Sequence, residues 1–120
     1  MSKKQKYYVY VIGLKPTALN NRKCIKQNPN FKPGPNKKCY YVGYTGETPE
    51  IRYNKHITGY RNKRGKTASS IVEKHGYKKN GLRPSKYRNI KPLATKEEAE
   101  KMEIKLAERL RKNGHFVYQK

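Results

Sequence analysis

Apolar positions in this chain are concentrated in two dense runs and one helical stripe. Residues 7–14 (YYVYVIGL) are rich in aromatic and β-branched side chains, the composition of a strand buried on at least one face. Residues 39–44 (CYYVGY) repeat that character. Between them, residues 15–38 carry Pro16, Pro29, Pro33, Pro35, Gly34 and five Asn with few large apolar residues, which predicts an extended loop. The two runs then form an antiparallel pair across it. A connection of this length inside a small domain tends to be functional or disordered. Its six Lys and one Arg favour a nucleic-acid contact, with a tolerated surface insertion as the alternative.

Further along, helical signals take over. Thr48, Pro49 and Glu50 supply an N-cap, a proline at the first helical position and an acid in the first turn, predicting a helix to about Tyr60. On it Arg52 and His56 stand four apart and share a face, from which both are expected to reach one phosphate. Residues 60–66 (YRNKRGK) place Arg61, Lys63, Arg64 and Lys66 around Gly65, the look of a phosphate clamp. Residues 69–75, closed by Gly76, suggest a short second helix, and residues 87–93 (YRNIKPL) a third strand, placed at an edge by Pro92. Thr95 with Glu98 is a capping box opening a helix to about Lys112, where Asn113 and Gly114 stop it. Spacing residues 100° apart puts Ala99, Met102, Leu106 and Leu110 on one stripe, with Glu103 inside it. A carboxylate there carries a desolvation cost unless it is paired, hydrogen-bonded or bound to metal, which makes Glu103 the anomalous acid of the chain.

Charge sharpens this picture. The 120 residues are one domain's worth of chain, and 30 basic against 8 acidic residues give a formal charge of +22, which points to a polyanionic partner, nucleic acid first. A solvated basic surface on an architectural or ribosome-like protein is the plainer alternative. The chain contains no Asp, and its acids are Glu47, Glu50, Glu73, Glu97, Glu98, Glu100, Glu103 and Glu108. A two-metal nuclease site draws on several convergent carboxylates, so a one-metal or metal-free mechanism is expected. Cys24 and Cys39 lack the spacing of a structural zinc site, and a disulfide between them is disfavoured in a reducing compartment. No apolar stretch is long enough to span a bilayer or to serve as a secretory signal, so a cytoplasmic location is expected.

Taken in order, Tyr8-Val9-Tyr10, then Tyr41-Val42-Gly43, then Arg52 with His56, then a late helix bearing Glu103, resembles the GIY-YIG nuclease superfamily from Tyr7 to Val117. The resemblance implies a single α/β (α+β) domain, 1–120, with a small three-stranded antiparallel sheet flanked by helices and a basic loop insertion at 15–38. It further implies that Tyr10 and Tyr41 are the paired motif tyrosines and that Gly43 permits close backbone approach. Arg52 becomes the phosphate-binding arginine and Glu103 the sole protein ligand of a divalent ion, Mg²⁺ or Mn²⁺. The phenol of Tyr10 or Tyr41, its pKa lowered from about 10 by surrounding cations and metal-bound water, would take a proton from the attacking water, with His56 orienting it or relaying the proton. The first motif has Tyr8 where the family usually has Gly. The family often has an Asn after the helix, where this chain has Tyr118 and Gln119, and neither receives a role.

The expectation is therefore a standalone, metal-dependent DNA endonuclease. Arg61, Lys63, Arg64, Lys66, Lys37 and Lys38 would contact DNA, RNA stays open as a partner, and a homodimer is compatible with the absence of a separate recognition domain. The competing class is a non-catalytic nucleic-acid binder, either an inactive fold of this type or an unrelated basic RNA binder. An HNH-type site built from His56, His75 and His115 is disfavoured by their spacing.

Overall fold

The two dense apolar runs become the two long strands of the fold. In the computed structural model, which describes residues 6–58 and 70–119, β1 (Tyr8–Leu14) and β2 (Cys39–Thr45) pair antiparallel, with Tyr8 opposite Thr45 and Leu14 opposite Cys39. The expected clamp at 60–66, with Arg61, Lys63, Arg64 and Lys66, lies outside the described residues.

The third strand is not where the sequence pattern put it. It is β3 (Phe116–Gln119), and it runs parallel to β2, so the sheet is mixed, in the order β1-β2-β3. Residues 87–93 instead fold into turns, in which Ile90 N–H donates to the Tyr87 carbonyl, and contribute a single bridge between Leu93 and Tyr7. Pro92 removes a donor just where a ladder would continue. A parallel partner for β2 requires a long crossover connection, and the helix before β3 provides its return leg.

Residues 15–38 also differ from an open loop. They hold a 3-10 turn, Pro16–Asn20, and a short helix α1 (Arg22–Gln27), whose N-cap Asn21 accepts from the N–H groups of Lys23 and Cys24. This insertion protects the sheet. Residues 117 and 119 turn their backbone groups away from β2. The side-chain amide of Asn28 accepts from Val117 N–H at 2.9 Å and donates to its carbonyl at 2.8 Å. That of Gln27 does the same for Gln119, at 2.8 and 2.7 Å. Two consecutive amides thus stand in for a fourth strand and leave β3 no open edge. The outer edge of β1 is closed by loop backbone, with Gly13 N–H donating to the Gly81 carbonyl and Arg83 N–H to the Val11 carbonyl.

Helices cover both faces of the sheet, which is why β1 and β2 read as continuous apolar runs rather than alternating ones. α4 (Lys96–Lys112) lays Leu106, Ala107 and Leu110 on Val9, Val11, Tyr40, Val42 and Val117. The other face, with Tyr10, Ile12, Leu14, Cys39 and Tyr41, meets Cys24 of α1, Tyr53 of α2 (Pro49–Ile57) and Ile71 and Val72 of α3 (Ser70–His75). α2 starts as expected, with Thr48 accepting from Ile51 N–H, but ends at Ile57, short of Tyr60. α4 keeps its caps: Thr95 accepts from Glu98 N–H, Glu98 reaches back to Ala94 N–H, and Gly114 ends it at φ 91°. Cys24 and Cys39 are buried free thiols. Among the described residues no helix is long and apolar enough to cross a membrane.

Candidate active site

Where the central strands meet α2 and α4, the surface opens into a cleft of about 500 Å³ lined by Tyr10, Tyr41, Gly43, Arg52, Glu100 and Glu103, with Tyr44, Ile104 and Gln119 at its margins. Five elements, β1, β2, α2, α4 and β3, converge on it. Tyr10 of β1 and Tyr41 of β2 point to one face because Tyr10 sits opposite Gly43 and Tyr41 lies two residues before Gly43 on the same strand. Their ring centroids are 6.2 Å apart.

Gly43 makes that pairing possible. A Cβ at this position would lie 2.8 Å from Tyr10 Oη and 3.0 Å from Tyr41 Cε1, closer than such atoms pack. What approaches closely is therefore the two phenol rings rather than a second backbone.

α2 contributes two residues with different fates. Arg52 lines the cleft, whereas His56 is completely buried behind it, with Tyr10 Oη and His56 Nε2 at 2.8 Å. The expectation that both side chains reach one phosphate is corrected by this burial. The Tyr41 ring packs edge-on against His56 at 5.3 Å and stacks on Tyr118 at 6.0 Å, so the tyrosine pair is held from behind.

Burial also reverses an electrostatic expectation. The Tyr10 phenol is held well above its ordinary value, first by desolvation and then by neighbouring Tyr41, while Arg52 pulls it back down through its charge and a hydrogen bond. Desolvation outweighs the cation. Tyr10 therefore rests as a neutral phenol at physiological pH, and any base role must give its own proton somewhere.

On α4, Glu103 is 5% exposed and opens onto the cleft, as its place within the apolar stripe requires. Glu100, one turn earlier, lies on the same rim and accepts a hydrogen bond from Tyr44 Oη at 3.0 Å. Burial, that hydrogen bond and the charges of Glu100 and Glu103 raise the Tyr44 phenol above its usual value. No three His, Cys, Asp or Glu side chains come together among the described residues. An oxygen-only donor set with one buried carboxylate and a second on the rim fits a hard divalent ion that keeps most of its water.

The cleft thus unites Tyr10, Tyr41, Gly43, Arg52 and Glu103, and sets His56 behind them. Lys37 and Lys38 stand in the segment before β2 and do not line it. Sequence reading passed over Glu100 and Gln119. The first was legible from its i−3 spacing to Glu103. The second reaches the cleft only through the pairing of β3 with β2.

Comparison with protein-family models, curated proteins and solved structures found no match to this chain.

Proposed function

We propose that this chain is a divalent-metal-dependent endonuclease of the GIY-YIG type that hydrolyses DNA phosphodiester bonds through one metal ion. The observation that supports it is the convergence of a guanidinium, two phenols and a buried carboxylate on one cleft in a protein of charge +22.

In this reading Arg52 holds the scissile phosphate with its planar donor fork and offsets the charge that builds on the phosphoryl oxygens. Tyr10 Oη takes a proton from the attacking water as its own proton passes to Nε2 of His56, 2.8 Å away. This exchange avoids free phenolate, which burial disfavours. Tyr41 keeps the Tyr10 ring in place and limits water behind it. The new P–O bond forms as the bond to the 3′ oxygen breaks, and the leaving oxygen takes its proton from solvent. Glu103 would hold Mg²⁺ or Mn²⁺, which when bound would supply Lewis-acid stabilisation for the leaving oxygen.

The test is nicking of supercoiled plasmid by wild type and Glu103→Ala with Mg²⁺, Mn²⁺ or EDTA, beside a binding assay on the same DNA. Metal-dependent nicking that drops by about 10³-fold or more in Glu103→Ala, with binding retained, is the expected outcome. Binding without cutting in any metal overturns the reading in favour of a non-catalytic nucleic-acid binder.

A further inference from the structure

The insertion does more than close the sheet edge. Together with the last turn of α4 it bounds a second cleft of about 520 Å³. Four cations line it, Lys32, Lys37, Arg111 and Lys112, against one carboxylate, Glu108. Lys32 and Lys112 make no ion pair or hydrogen bond among the described residues, while the Lys37 ammonium donates to the Asn113 carbonyl at 3.3 Å. The other walls come from residues 27–31, including Pro29 and Phe31.

Arg111 is the fixed member of the set. Its two Nη groups donate to Gln119 Oε1 at 3.3 Å, to Gln27 Oε1 at 3.1 Å and to the Val117 carbonyl at 3.0 Å. Its buried Nε–H has no acceptor among the described residues. Like charges lining one cleft repel one another, and a bound anion would relieve that repulsion. His115 on the same wall titrates below its ordinary value, because of burial first and then Lys86, Lys37 and Lys38, of which Lys37 alone lines the cleft.

We infer that this second cleft is a phosphate-binding subsite that anchors the nucleic-acid backbone beside the point of cleavage. Gln119 links the two sites, since it lines the first cleft and accepts from Arg111 in the second. In the second cleft Lys112, Lys37 and Lys32 would meet the phosphates of a strand shared with the first, and the apolar wall at Pro29 and Phe31 suits a sugar or base. This goes beyond a general basic loop, because it requires residues of α4 and of the insertion to act as one site. It rests on the nuclease reading only for the choice of a polynucleotide as ligand.

The test measures binding in EDTA, where catalysis plays no part. A fluorescent oligonucleotide, single-stranded and duplex, is titrated with wild type, with Lys37→Glu/Lys112→Glu, and with a control of equal charge change at exposed positions outside the cleft, Lys79→Glu/Lys101→Glu. The cleft variant is expected to weaken binding roughly tenfold more than the control and to reduce the slope of log K against log salt by about 2. Its thermal midpoint is checked against wild type, because Lys37 also caps α4. In parallel, His115 ring resonances are followed by NMR with inorganic phosphate, a mononucleotide and the oligonucleotide. Larger shifts with the oligonucleotide than with phosphate or mononucleotide at equal phosphate concentration support a backbone anchor. Equal weakening by the two variants, or equal shifts from all three ligands, overturns it. Should nicking fail while the Lys37/Lys112 effect persists, the nuclease reading falls and this site stands as a nucleic-acid contact.

Discussion

The two clefts beside the end of β3 are nearly equal in size, about 500 and 520 Å³, yet their charged groups are held in opposite ways. In the first, the titratable groups are Tyr10 and Glu103, which are buried, with His56 behind them, all on regular strands and helices. In the second, most of the charge sits on lysines that project from an irregular segment and a helix end. A buried carboxylate or phenol is costly to place and has few rotamers to lose when it acts. An exposed lysine is cheap to place and contributes mainly long-range, salt-screened attraction. Under the proposed function, the first cleft would break the bond and the second would retain the strand.

That comparison can be tested by damaging one cleft and reading out the other. Beyond Glu103→Ala, the largest effect is expected from Arg52→Lys. It keeps the charge but loses the planar fork, and should lower nicking about 10²-fold while oligonucleotide binding changes little. Loss of binding in proportion to activity would instead make Arg52 one more retaining cation.

Gly43→Ala forces a methyl group against both tyrosine rings and is expected to destabilise the fold by about 1–3 kcal/mol. Nicking should fall more than the folded fraction does, because Tyr10 and Tyr41 must both move. Full activity in the folded protein would show that their spacing does not matter.

Asn28→Ala, a change in the second cleft, tests how β3 is held. It leaves the outward N–H and carbonyl of Val117 without their amide partner, at a cost of about 1–3 kcal/mol in chemical denaturation. Hydrogen exchange at Val117 and Gln119 should rise with it. Unchanged protection there would mean that α1 does not secure β3.

The smallest effect is on alkaline stability. Burial raises the Cys24 thiol to about 11, pushes Tyr87 up to about 12, and moves Cys39, Tyr10, Tyr40 and Tyr118 in the same direction. Each group gives up its proton more readily in the unfolded chain, so the unfolded state binds fewer protons at high pH. The stability they contribute is complete below about pH 9 and is lost as pH rises through their folded values. Between about pH 8 and pH 10.5 the thermal midpoint should fall by several degrees, and less so in Cys24→Ala.

What the sequence determined by itself was local or periodic. The apolar runs marked β1 and β2, Thr48-Pro49-Glu50 and Thr95 with Glu98 marked two helix starts, and a 100° spacing singled out Glu103 before any contact was known. The N-cap at Asn21 lies in a segment that Pro16, Pro29, Pro33 and Pro35 marked as a loop. Tertiary structure alone decided the rest. Phe116–Gln119 becomes a strand because β2 offers a free parallel partner, whereas 87–93 becomes a turn because Pro92 cannot extend a ladder. The same i, i+4 spacing on α2 could not say that Arg52 would meet the cleft and His56 would be sealed behind Tyr10, since burial depends on which neighbours pack there. Cation counting likewise missed that desolvation governs the Tyr10 phenol. Local signals fix where elements begin and end; distances between residues remote in the chain, and the dielectric they share, exist only once the sheet and its helices have assembled.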